Sequence, residues 1–446
     1  MKRRELLGLA GAGLLTWTTG AEAQPGPTKG APKVRAKGGT KGAKKADTSG
    51  EDEPSGPRVA LVGATLLGAS ERPLERAVIV LQGERIASVG TDVSAAAGAT
   101  TLDLAGKVIT AGFVDPLTRV GVTEIDLEDR SRDDAHSSGR AIAASFAAAD
   151  GYDPSSPLVA ITRREGITSV GVVPVSGLVT GQSAWADLDG DVPARALGSR
   201  SLALHVLLDD YAIGSGPVNH ATALHLLREL FDDAEAYRSK RGDYEKRQVR
   251  DLGASRGDLE VVTRALDGKL PVVFHVDRAS DILNVLELAR SRRLRAVVAS
   301  AAEGWKVAGA LAAAKVPAIV YPLDEGPRDL LVRGAREDNA ARLHKAGVVV
   351  AMSSGESHNA RKLRQVAGNA VRAGLPHAAA IAALTRAPAH IFGLGDYGAP
   401  AAKQLANLAV WSGDPLELST RCERLFIRGR EVSLRSRQTA LFEKYR

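Results

Sequence analysis

Cysteine is almost missing from this chain: Cys422 stands alone, so no intramolecular disulfide can form and stability has to come from burial. Aromatic residues make up only 4% of the 446 residues and methionine occurs twice, which leaves alanine and branched aliphatics to fill a core. A long apolar run is absent as well. The run at residues 6–17 falls short of the roughly 20 residues that cross a bilayer, so no stable membrane span is expected. Excess charge is scarce where a nucleic-acid partner would need it. The formal net charge is +7, of which residues 1–23 carry +1, residues 24–57 carry +3 and the long remainder only +3. No basic nucleic-acid surface is implied.

What is present begins with a three-part N-terminus. Lys2-Arg3-Arg4 is a positive stretch, an apolar run follows, and Ala21-Glu22-Ala23 is a small-x-small cleavage site. This reads as a signal peptide over 1–23, and the paired arginines fit a twin-arginine signal. Residues 24–57, rich in Gly, Pro, Lys, Ala and Thr, read as a disordered linker. The chain is thus expected to be exported, to the periplasm or beyond the cell.

From residue 58 the pattern turns to short β-rich runs at 59–62, 77–81, 85–89 and 101–104, with Gln82-Gly83-Glu84-Arg85 as a hairpin turn. The apolar strand 107–114 ends on Asp115. Strand and helix then alternate. Strands are expected at 168–173, 202–208, 271–275, 296–300, 318–321 and 348–353. Helices are expected at 221–237, 259–266, 281–290, 305–314, 336–346, 360–373 and 378–385. Short strands return at 408–411 and 424–427. Alternation of this kind predicts an α/β fold built on a mainly parallel sheet, and some eight units suit a closed barrel.

Several stretches resemble the amidohydrolase superfamily, in the manner of its imidazolonepropionase-like and dihydroorotase-like members. They are Gly112-Phe113-Val114-Asp115, Gly83-Glu84-Arg85-Ile86-Ala87-Ser88-Val89-Gly90, Arg163-Arg164-Glu165-Gly166-Ile167-Thr168, Thr385-Arg386-Ala387-Pro388-Ala389 and Val410-Trp411-Ser412-Gly413-Asp414-Pro415. The resemblance covers about 58–435. It implies a (β/α)8 TIM-like barrel over 111–399, beside a small β-sandwich made from 58–110 and 400–435. It also implies a metal-dependent hydrolase of amide or other non-peptide C–N bonds, with a divalent metal, zinc first, held by a His-x-His and later histidines.

The sequence departs from that ligand pattern. Leu117 and Arg119 occupy the two His-x-His positions; leucine has no donor atom and arginine repels a cation. The sixth strand offers no histidine, and the last strand offers Gly355 or Glu356 where the resemblance implies an aspartate. The surviving candidate ligands are His275, Glu356 and His358, with one divalent metal or none. Glu356 and Asp277 are the candidate catalytic carboxylates. Gln182, in the Gly-rich segment 176–182 read as a loop, and Glu303 are candidates to touch a small-molecule substrate. His205 closes a predicted strand without a metal-type neighbour, and His358 also fits a helix-capping role. Two functions stay open: a hydrolase with a reduced metal site, or a non-catalytic relative that binds a small molecule or a partner in the same pocket. Nothing in the sequence specifies an oligomeric state.

Overall fold

A computed structural model describes residues 56–68, 70, 72–136, 139–208, 219–248, 250–323, 326 and 332–446. The expected signal peptide and nearly all of the linker lie outside the described residues.

The first sheet has eight strands and joins the two ends of the described chain. Arg58–Leu66 pairs antiparallel with Leu74–Gln82, which turns into Arg85–Gly90. The turn works because Gly83 takes a φ of +56°, where a side chain would be strained. Val108–Ala111 then lies antiparallel to Leu408–Trp411, which pairs onward with Cys422–Ile427. Alternating aliphatics supply one face, and Leu61, Ile79, Leu81, Ile109, Leu408 and Phe426 are buried together there.

Two further sheets carry the parallel strands. In one, Phe113–Thr118 runs parallel to Ile167–Val172, and Ala184–Asp187 and Leu197–Ser199 add antiparallel strands. In the other, five strands run parallel in chain order: Leu204–Leu207, Val272–Val276, Ala296–Ser300, Ala318–Val320 and Val350–Met352. Helices His220–Ser239, Arg256–Leu266, Ala279–Arg292, Ala308–Ala314 and Asn339–Lys345 fill the connections. The strands are nearly continuous aliphatic runs, as parallel strands covered on both faces require.

Among the described residues these ladders do not close into one hydrogen-bonded ring; the parallel strands stand as a pair and a set of five. They nevertheless share a core. Val114 and Leu117 pack with Trp185, Val273, Val297, Ala299, Ile319 and Ala351, drawn from both sheets.

Two expectations change at the level of elements. The 176–182 segment is not a loop throughout, since Val179–Gln182 is a buried strand antiparallel to Leu204–Leu207. Gly181, which made it look loop-like, is demanded by close packing: a Cβ there would stand 2.5 Å from the Phe146 carbonyl oxygen. In addition, the helix expected at 378–385 is followed after Thr385 by a separate helix at Arg386–Phe392, with Pro388 in its first turn. Proline in the first turn of a helix lacks only an N–H that would be unpaired anyway.

A tight backbone approach lies at Gly171, where a Cβ would fall 1.9 Å from the Pro116 carbonyl oxygen. Backbone cannot give way as a flexible side chain does. Gly171→Ala should therefore lower stability by about 3 kcal/mol. Gly309→Ala, on an exposed helix with open space around it, should change stability by less than about 1 kcal/mol. Urea unfolding of both variants checks this, and equal losses would contradict the packing described.

Candidate functional site

The C-terminal ends of the parallel strands gather the titratable groups. Val272–Val276 places His275 opposite Leu207 on one neighbour and Ala299 on the other. Both neighbours are apolar, and among the described residues the imidazole meets a polar partner in His205. His275 Nε2 lies 3.0 Å from His205 Nδ1, and His205 Nε2 lies 2.8 Å from Ser183 Oγ. His205 and Ser183 are fully buried, whereas His275 is half-buried. Burial disfavours the charged imidazolium. It holds His205 well below the usual histidine range, with His275 adding to the effect, and pushes His275 down to about 4. The pair is neutral at neutral pH. His205 therefore has a titratable neighbour after all, and what joins them is a hydrogen bond between uncharged rings.

A second cluster forms where Phe113–Thr118 meets the segment after Val350–Met352. Asp115 is fully buried and takes hydrogen bonds from the hydroxyls of Ser353 and Ser354 and from the Ser354 N–H at 3.2 Å. These contacts stitch the outer strands of the two sheets together. Burial raises the Asp115 carboxyl to about 7, against the serine hydroxyls and backbone N–H groups that favour its ionised form.

The other predicted positions are placed as follows. Leu117 is buried in the shared core. Arg119 reaches Asp126 at 3.5 Å and the buried Asp134 at 3.8 Å, and its N–H bonds the Glu356 carbonyl. The Glu356 side chain is half-buried and His358 is exposed, with its Nδ1 3.3 Å from Ser357 Oγ. The short helical turn Ala360–Lys362 that follows has Asn359 at its N-cap, without a side-chain capping bond. Asp277 accepts from Ser300 Oγ at 2.5 Å and from the Ala302 N–H at 3.1 Å, while Arg278 pairs instead with Asp281 at 2.7 Å. Glu303 accepts from the Ala279 N–H at 3.1 Å and from Lys306 at 2.5 Å. Gln182 is buried on its strand, and its amide bonds Ala144, Ser201 and Arg264. Asp277, Glu303 and Gln182 thus each hold neighbouring elements in place.

Among the described residues no three His, Cys, Asp or Glu side chains converge as a metal would need. The donor chemistry agrees. Of the two positions where the resemblance implies a His-x-His, one is a buried leucine and the other a guanidinium already facing two aspartates, and the last strand runs into Ser353 and Ser354. His275 keeps only one ring nitrogen beyond its bond to His205. Among the described residues this set does not fit a divalent cation.

Ser183 and Asp115 are the site residues that sequence reading passed over. Asp115 had a signal in its position at a strand terminus; Ser183 had none.

No family model matches the chain. A stretch of 58 residues, 13% of this chain, is 43% identical to part of a D-aminoacylase of Alcaligenes xylosoxydans xylosoxydans, and that match spans 12% of the latter's length. Solved structures are similar over most of the chain. An amidohydrolase of Thermotoga maritima MSB8 aligns over 84% of this chain and 100% of its own, with a TM-score of 0.76 and 24% identity. An adenosine deaminase of Xanthomonas campestris with bound zinc aligns over 88% of this chain and 97% of its own, with a TM-score of 0.53 and 16% identity. The chain shares the α/β fold of these proteins.

The buried groups set a pH dependence of stability. Unfolded histidine takes up a proton near 6.5, whereas folded His275 does so only near 4. Stability should fall as pH drops from about 6.5 to about 4. Asp115 acts in the opposite sense. Its unfolded carboxyl ionises near 3.9 and its folded one near 7, so it removes stability as pH rises across the same window. Asp115→Asn should steepen the rise of stability with pH, and His275→Gln should flatten it. Denaturant midpoints from pH 4.5 to 7.5 check both signs, and unchanged slopes would contradict the burial of these groups.

Proposed function

We propose that this chain is a member of the amidohydrolase superfamily and takes up a small molecule with an amide or other non-peptide C–N bond at the C-terminal ends of its parallel strands. The observation that carries this reading is the likeness to the Thermotoga maritima amidohydrolase, which spans all of that chain with a TM-score of 0.76. Active sites of barrel enzymes lie at those strand ends, which is where His275 stands. On this reading residues 111–399 form a (β/α)8 barrel, and 58–110 with 400–435 form a β-sandwich. Residues 1–23 direct export and 24–57 are a tether.

Such a pocket can bind alone or hydrolyse. The residues at the strand ends favour binding alone, because the buried Leu117, the paired Arg119 and the serine-bound Asp115 leave no ligand set for a hydroxide-generating metal. Hydrolysis is the second reading, favoured by the 43% identity to a stretch of a D-aminoacylase. In that case His275 and Glu356 are the residues to follow.

Elemental analysis of the purified mature protein, with a thermal-shift and turnover panel of N-acyl amino acids and cyclic amides, separates the two. The expected outcome is stabilisation by members of the panel, substoichiometric metal and no turnover. Stoichiometric metal that is lost together with turnover in His275→Ala would establish the hydrolase instead. A panel that neither stabilises the protein nor is turned over would overturn the proposal.

A further inference from the structure

The Ser183–His205–His275 chain fixes more than the position of His275, because a row of neutral groups can hand a choice of proton position along itself. Ser183 Oγ has one hydrogen and lies near two acceptors, the Ala203 carbonyl at 3.3 Å and His205 Nε2 at 2.8 Å. If the hydroxyl donates to Ala203, its oxygen is free to accept from His205 Nε2–H, and both contacts are hydrogen bonds. If it donates to His205 Nε2 instead, the Ala203 contact is lost. The first arrangement makes one more bond in a fully buried place, where an unmade bond is costly.

With Nε2–H on His205, its Nδ1 is a bare acceptor. Among the described residues its partner there is His275 Nε2, which must then carry the hydrogen. His275 Nδ1 is left unprotonated. It has no hydrogen-bond partner among the described residues and is not one of the fully enclosed unpaired atoms, and His275 is the half-buried member of the chain.

From this geometry we infer that Ser183, acting through His205, holds His275 as a hydrogen-bond acceptor at the strand ends, and that the ligand is a neutral compound presenting an N–H, such as an amide, rather than a carboxylate. The inference rests on the reading of these strand ends as a site for amide-type molecules. The surroundings agree with a neutral ligand. Leu207 and Ala299 flank His275 in register, and Val273, Val297 and Ile319 pack in the core beside it. Asp115 and Arg119 are occupied by serines and aspartates. Ser183 is a positioning residue here, since it is fully buried and acts on a ligand only through two rings.

Long-range 1H–15N spectra of the imidazoles in the uniformly 15N-labelled mature protein test this. In the wild type both His205 and His275 should be Nε2–H tautomers. Ser183→Ala removes the acceptor for His205 Nε2–H, so both rings should switch to Nδ1–H and His275 should become a donor. Ser183→Thr keeps the hydroxyl and should keep the wild-type tautomers, which separates this role from simple packing. Propionamide should then shift the His275 Nδ1 resonance of the wild type and of Ser183→Thr but not of Ser183→Ala, and propionate should shift none of them. A wild-type His275 found as Nδ1–H, or tautomers that ignore Ser183→Ala, would overturn the inference. So would a Nδ1 shift with propionate, or none with propionamide. The tautomers are read without any ligand, so turnover of the wider panel by a protein with the wrong tautomer would leave the family reading standing and sink this one.

Discussion

The hydrogen bond between two uncharged rings, His205 and His275, is the constraint around which the strand ends are organised. It exists because both imidazoles sit where a charge is expensive. One ring is fully buried and the other is flanked by Leu207 and Ala299. A pair of this kind carries no net charge, so it offers an anion no Coulombic attraction.

The remaining charged groups follow the same rule. Asp115 is enclosed by serine donors, Arg119 faces Asp126 and Asp134, Asp277 ties one strand end to the next, and Glu303 is held by Lys306. Each charge is satisfied by the protein itself. Buried charges that are already paired cost several kcal/mol to pull apart, so a ligand has little reason to compete for them. What is left for a ligand is shape, apolar surface and the open side of His275.

Much of the fold was legible in the chain. Strands such as Ala296–Ser300 and Val272–Val276 are unbroken aliphatic runs between amphipathic helices, and their spacing points to parallel pairing. The return of strands after residue 408 to the sheet that begins at residue 58 was legible through Val410-Trp411 and its neighbours. Less was legible of the site. Leu117 and Arg119 stand where the resemblance implies a His-x-His, and the structure places one in the shared core and the other beside Asp126 and Asp134. Where His275 turns was not readable, because its partner lies 70 residues away on a strand whose histidine looks like any buried one. Ser183 was hidden for a similar reason: it sits between two short buried strands, and glycines at 177 and 181 made that region look like a loop. Glu356 and His358 looked like ligands by their place in the sequence. Backbone geometry after Met352 instead puts Ser353 and Ser354 against Asp115.

The central claim is that these strand ends are a neutral, hydrogen-bonding site and not a metal centre. Crystals of the protein soaked in zinc, with diffraction measured on both sides of the zinc absorption edge, test it most directly. The account predicts no anomalous peak within bonding distance of His275, and His205 Nδ1 still 3.0 Å from its ring. A full-occupancy peak bound to His275, with the His205 contact broken, would contradict it.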